Sequence, residues 1–261
     1  MSQHEHYTFG DSDLAARRLA LLAATFEPSS ARLLRLVASL SPRHALDLGC
    51  GPGYSTRLLH AVVGPAMTTG IDQSAEHVAR ARELAPPGVQ YDVHDVTAAS
   101  FPGERPDLLY CRFLLTHLRS PEAALEAWAA AAAEGAALVV EETAEMASDF
   151  PALRRYYTLV GDMQAHYGQQ LHVGRALAEA PVRSPWRTEH SVVRALQLPA
   201  RQMARLHLLN LLTWRDDPYA RVAFDQAELS RLATELAQVA SGAVDAGHVR
   251  YGMRQLILTR R

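Results

Sequence analysis

Residues 44–59 read HALDLGCGPGYSTRLL: an apolar run ending in Asp47, then three glycines and a proline, then an amphipathic run from Tyr54. The pattern predicts a strand, a tight loop and a helix. Glycines let the loop backbone approach a ligand closely, and the helix behind them aims its N-terminus at the same point. Gly49, Gly51 and Gly53 are spaced G-x-G-x-G, whereas a dinucleotide-binding turn wants glycine where this chain has Tyr54. A P-loop is excluded separately, because it requires Gly-Lys-Ser/Thr and all 26 basic residues are arginine. The lack of lysine also closes Schiff-base chemistry.

Outward from the loop, short apolar runs alternate with helical ones. Strands are expected at His44–Leu48, Met67–Asp72, Val89–Asp95, Asp107–Phe113 and Ala137–Glu142, with helices over Tyr54–Val62, Ser74–Leu84 and from Pro121. Ser74 is placed as an N-cap, and Pro121 as the first helical residue, where a missing N–H costs least. Alternation at this spacing implies a parallel sheet covered by helices on both faces, with ligands at the carboxyl ends of the strands. Residues 1–40 read as a helical lid and 41–145 as the ligand-binding core. Residues 146–261 add the strands Thr188–Leu198 and Val249–Thr259 with helical insertions around a substrate pocket. One compact domain is expected: an α/β, Rossmann-like, seven-stranded and mostly parallel sheet with a helical lid.

Asp47-Leu48-Gly49-Cys50-Gly51-Pro52-Gly53 resembles the first motif of the class I S-adenosylmethionine-dependent methyltransferases. Asp72, ending the second strand, falls where that family grips both ribose hydroxyls. Asp95, after the third, falls where it accepts from the adenine amino group. The resemblance implies S-adenosylmethionine as cofactor, held by Asp47, Gly49, Cys50, Gly51, Gly53, Asp72, Gln73, Asp95, Val96 and Arg112. From the lid, Tyr7 and Arg17 would meet its carboxylate, with Arg18 able to take the place of Arg17. Asp47 would either shape the loop or meet the cofactor's amino group. The cofactor carries no phosphate, so a site without lysine and rich in carboxylates suits a sulfonium.

The methyl acceptor is less legible. After the fourth strand the chain has Cys111-Arg112-Phe113-Leu114 and not the Asn/Asp-Pro-Pro-Tyr tetrad of nucleic-acid N-methylating families. Instead Phe113–Leu118 is similar to the F-x-L-x-H-L of bacterial small-molecule methyltransferases. His117 is the candidate base, with a shape-holding histidine as the alternative. Glu142, next to Glu141, is a second candidate base or an anchor. Tyr156, Tyr157, His166, Tyr167 and Trp214 are candidate pocket residues for a partly apolar acceptor, with helix packing as the alternative for each. The spacing of His166 and His172 does not stack them on one helical face, and no metal is expected.

A net charge of −2 gives no reason to expect nucleic acid, and no apolar stretch is long enough to span a membrane. Two cysteines and a polar, acidic N-terminus fit a cytoplasmic protein, and a homodimer is compatible with the sequence. The expectation is methyl transfer to a small molecule, in natural-product metabolism by analogy. The alternatives are a cyclase or pericyclase of the same fold, or a non-catalytic binding subunit.

Overall fold

A computed structural model describes residues 13–177 and 185–261, so Tyr7 lies outside the described residues. Seven strands form one sheet in the order β3-β2-β1-β4-β5-β7-β6. β1 (His44–Leu48), β2 (Met67–Asp72), β3 (Val89–Val93), β4 (Leu108–Arg112) and β5 (Ala137–Ala147) run parallel. β7 (His248–Arg260) pairs antiparallel with β5, and β6 (Trp186–Pro199) antiparallel with β7. The expected α/β fold class stands.

All five residues of β1 are buried, as expected for a central strand covered on both faces. Its side chains divide by parity. Leu46 and Leu48 join Leu109, Cys111, Leu138 and Val140 under Trp128 of α4 (Pro121–Ala131). Ala45 joins Leu108, Tyr110 and Val139 under Leu59 of α2 (Tyr54–Val63) and Leu33 and Leu34 of α1 (Asp13–Leu34). The period-two alternation of each strand therefore builds two cores from one sequence. The helix boundaries follow local chemistry. Ser74 caps α3 (Ala75–Glu83) by accepting from His77 N–H, Pro121 opens α4, and Gly64 closes α2 in the left-handed conformation.

Most strand ends fall within two residues of expectation, β3 stopping at Val93 instead of Asp95, and the largest difference is in β5. β5 continues to Ala147, past the anticipated end at Glu142. The segment Glu142–Met146 is too polar to read as a strand. β7 nevertheless pairs along it as far as Ala147 opposite Arg250, with an irregularity between Thr143 and Glu145. A partner strand a hundred residues away overrides the local composition.

β1 lies between β2 and β4, so the winding reverses there and a crevice opens at the carboxyl ends of β1 and β4. Above it a third core packs α5 (Pro151–His166), α7 (Ala200–Trp214) and α9 (Gln226–Ser241) around Phe26, Tyr156, Met203 and Trp214. α1 reaches α7 through Gln202, whose Nε2 donates to Thr25 Oγ1 at 2.8 Å. Helices α1, α5 and α7 thus roof the crevice.

Candidate functional site

The glycine loop is held from behind. Asp47, buried under the loop, accepts from Ser55 Oγ and Thr56 Oγ1, both at 2.7 Å, in the first turn of α2. Burial raises its carboxyl to about 6, against the pull of those two hydroxyls. Asp47 is absent from the cavity wall, so it ties loop to helix, and no geometry supports contact with a ligand's amino group. Gly53 sits at φ +79°, and a Cβ there would lie 2.5 Å from Tyr91 Oη; its own place is behind the wall. Gly49, Cys50 and Gly51 line the cavity.

Asp72 joins the loop to α3. Its Oδ2 accepts Gly51 N–H at 2.8 Å and its Oδ1 accepts Ser74 N–H at 2.9 Å, while the carboxylate stands on the cavity wall. His77, buried on the same wall, holds Nδ1 3.9 Å from Asp72 Oδ1. Gln73 and Asp95 are exposed on the rim, Asp95 accepting Thr97 N–H at 2.8 Å and Thr97 Oγ1 at 2.7 Å. Val96 is buried beside them, its carbonyl fixed by Trp128 Nε1 at 2.8 Å.

At the end of β4 the backbone turns back on itself at Phe113, which has φ +55° although it is not glycine. Such a conformation costs about 1–3 kcal/mol for an L side chain and persists where its surroundings over-determine it. Here Phe113 N–H donates to Glu141 O at 2.9 Å, and the ring packs edge-on against Phe26. The inversion points the next two amides at Glu142, whose Oε1 accepts Leu114 N–H at 2.8 Å and Leu115 N–H at 2.6 Å. This fixes the 3-10 turn Leu115–His117 and sets His117 on the wall. Glu142 itself is fully buried and off the wall. Burial pushes its carboxyl up to about 8, so it is protonated at neutral pH and serves as a backbone anchor with no path to an acceptor. Glu141 is likewise occupied, by Tyr110 Oη at 2.7 Å and Gln255 Nε2 at 2.8 Å. His117 is half-buried, and the desolvation of its ring with the Arg18 charge lowers it to about 4.

The cavity has a volume of about 440 Å³. Of the five aromatic pocket candidates, Tyr156 lines it. Tyr157, His166, Tyr167 and Trp214 do not: Trp214 is core, His166 stacks on Tyr219, Tyr167 Oη donates to Asp217, and Tyr157 meets His207 edge-on. In α1 the two arginines separate. Arg17 is exposed, whereas Arg18 is 4% exposed, lines the cavity and donates to Asn210 Oδ1 at 3.4 Å. Arg112 is also on the wall, bonded to Ser30 Oγ at 3.1 Å. A legible signal existed for Arg18: Ala15, Arg18, Leu22 and Phe26 recur at helical spacing on one face. The same spacing over Met203, His207, Asn210 and Trp214 marks His207, which lines the cavity stacked on Tyr156. Nothing in the sequence marks Phe113 as inverted.

Among the described residues no group of three His, Cys, Asp or Glu is placed to hold a metal ion, and no helix is long and apolar enough to cross a membrane.

Residues 14–197 match the family described as a methyltransferase domain. A trans-aconitate 2-methyltransferase of Paracidovorax citrulli is 40% identical over 110 residues, covering 42% of this chain and 42% of the relative. The chain spans about half the length of the curated relatives it matches. The plantazolicin methyltransferase BpumL, solved with S-adenosylhomocysteine (SAH), superposes with a TM-score of 0.54 at 13% identity, over 95% of this chain and 89% of that one. The [4+2]-cyclase SpnF superposes with a TM-score of 0.50 at 18% identity, over 88% and 81%. With the strand order and the glycine loop described above, these matches place the chain in the methyltransferase family, with the fold of the class I S-adenosylmethionine-dependent enzymes.

Proposed function

We propose that this chain transfers a methyl group from S-adenosylmethionine to a small-molecule acceptor in the cavity beneath α1, α5 and α7. One observation carries the reading: Asp72, locked by Gly51 N–H and Ser74 N–H, faces the cavity with carboxylate lone pairs left over for a pair of hydroxyls. The other wall residues suit the cofactor. Gly49, Cys50 and Gly51 offer close backbone, Val96 offers an apolar floor beside Asp95, and Arg18 or Arg112 offers a cation for its carboxylate. When bound, S-adenosylmethionine supplies a methyl group on a sulfonium, and an acceptor lone pair takes that methyl as the carbon–sulfur bond breaks. The chain's own contribution is orientation and exclusion of water. Glu142 holds the turn that carries His117, and Tyr156 and His207 shape the inner end. His117 and His207 are neutral at physiological pH and, though weak bases, can take a proton from the acceptor once its oxygen or nitrogen has become acidic by bonding to the methyl carbon.

This reading leaves two acceptor classes to be separated: the tricarboxylate in the relatives' name and a less polar molecule of specialised metabolism. A second reading keeps the cofactor without the transfer. It is supported by the fold shared with SpnF and by the weak basicity of the two inner imidazoles, His117 and His207, whose pKa values burial lowers. Calorimetry with SAH tests the cofactor. The parent is expected to bind, and Asp72→Ala to bind about a hundredfold more weakly, two charge-assisted hydrogen bonds being lost at about 1.5 kcal/mol each. No heat from the parent overturns the reading. A product mass increased by one methylene separates transfer from cyclisation.

A further inference from the structure

We infer that the acceptor is a neutral, largely apolar compound bearing a hydroxyl group, and that a polycarboxylate such as trans-aconitate is not accepted. The inference rests on the methyltransferase reading and deepens it.

Charge decides the first half. Among the described residues the cavity wall offers two guanidiniums, Arg18 and Arg112, against two carboxylates, Asp72 and Asp95. Both guanidiniums already hold side chains, Asn210 and Ser30, and the cofactor's own carboxylate draws on the same pair. A tricarboxylate would bring three negative charges into a space where each must be paired to offset its desolvation. The two inner imidazoles add nothing, because burial lowers His117 to about 4 and His207 to about 3, and both are neutral at physiological pH; the third, His77, is set beside the Asp72 carboxylate, 3.9 Å from its Oδ1.

The buried polar atoms decide the second half. Among the described residues, Gln164 Oε1 and both ring nitrogens of His207 are buried on this wall without a hydrogen-bond partner. Gln164 is 2% exposed and His207 3% exposed, so water outside the cavity does not reach them. An amide oxygen accepts and cannot donate, so it repels a carboxylate and seeks a hydroxyl proton. A neutral imidazole presents one acceptor and one donor, matching the two roles of a hydroxyl. Leaving such groups unpaired costs about 1–3 kcal/mol each, a cost that a hydroxyl-bearing ligand removes. Around them much of the surface is hydrocarbon: Leu22, Phe26, Val160, Met203 and Leu206 line the same chamber beside the polar Asn210 and Thr143, and Tyr156 stacks on His207 with ring centroids 4.4 Å apart.

The test is calorimetry on the SAH-loaded protein with 1-naphthol, which is neutral, apolar and carries one hydroxyl, against trans-aconitate. We expect 1-naphthol to bind at least tenfold more tightly. His207→Phe, which keeps the stack on Tyr156, and Gln164→Leu should each weaken 1-naphthol about fivefold, while SAH affinity stays within twofold and reports that the fold is intact. Trans-aconitate binding as tightly as 1-naphthol, saturable binding by neither, or 1-naphthol affinity unmoved by both variants overturns the inference with the methyltransferase reading intact. Failure of the parent to bind SAH overturns that reading, and the inference with it.

Discussion

Glu142→Gln isolates the cost of burying a carboxyl group beside the site. Glu142 is fully buried, and no cation is among the causes that set its pKa. Desolvation therefore dominates, and the two amides of Leu114 and Leu115 only partly offset it. Its carboxyl titrates at 4.5 in an unfolded chain and at about 8 in the fold. Between those values the folded state keeps a proton that the unfolded state has released, so stability is fully present below the unfolded value and is lost as pH rises through 8. Each pH unit in that window costs about 1.4 kcal/mol, which gives roughly 3 kcal/mol at pH 7 and about 5 kcal/mol by pH 9. Glutamine cannot ionise, and its Oε1 can still accept both amides. Any cost of fitting its NH₂ beside Thr116 is the same at every pH, so the pH dependence of the difference is what matters. Urea unfolding of parent and variant at half-unit steps from pH 5 to pH 9 should show the variant gaining on the parent steadily, then levelling off above pH 8. A difference that stays flat across the range would refute the reasoning, because it would mean that Glu142 is ionised in the folded protein and paired with something other than two amides.

His207→Phe should act with the opposite sign. The imidazole titrates at 6.5 unfolded and about 3 folded, so the parent should lose roughly 3 kcal/mol relative to the variant between pH 7 and pH 4, read from the same urea midpoints. Gly53→Ala would place a methyl group against Tyr91 Oη in a left-handed backbone, and should cost about 2–3 kcal/mol in thermal unfolding and weaken SAH. An unchanged melting temperature would contradict the role assigned to that turn. Arg18→Gln should weaken SAH or acceptor binding at least tenfold in calorimetry, while Arg17→Gln on the solvent side of α1 should leave both within twofold.

The parallel core was legible because its signals are local. His44–Leu48 is a buried strand whichever elements surround it, Gly49 to Gly53 can only be a tight loop, and Ser74 and Pro121 start helices by chemistry confined to one turn. Asp72, closing β2, and Asp95, just beyond β3, were legible for the same reason, since strand ends in such a sheet share one edge. The pocket was not. Tyr157, His166, Tyr167 and Trp214 have the composition of a binding surface, but their placement depends on how α5, α7 and α9 pack against each other. Polar-tipped aromatics serve a helix interface as well as a ligand.

The sequence by itself determined the sheet, the glycine loop and the carboxylate at Asp72, because periodicity, backbone freedom and capping act over a few residues. Helical spacing sets Arg18 on the apolar face of α1, but only the tertiary structure turned that face onto a cavity, because α7 lies across α1 and brings Asn210, 192 residues away, to Arg18. Only the tertiary structure turned Glu142 from a candidate base into a protonated anchor. Its charge state is set by the dielectric of the core around it and by the inverted backbone at Phe113, and neither is written in the neighbouring letters.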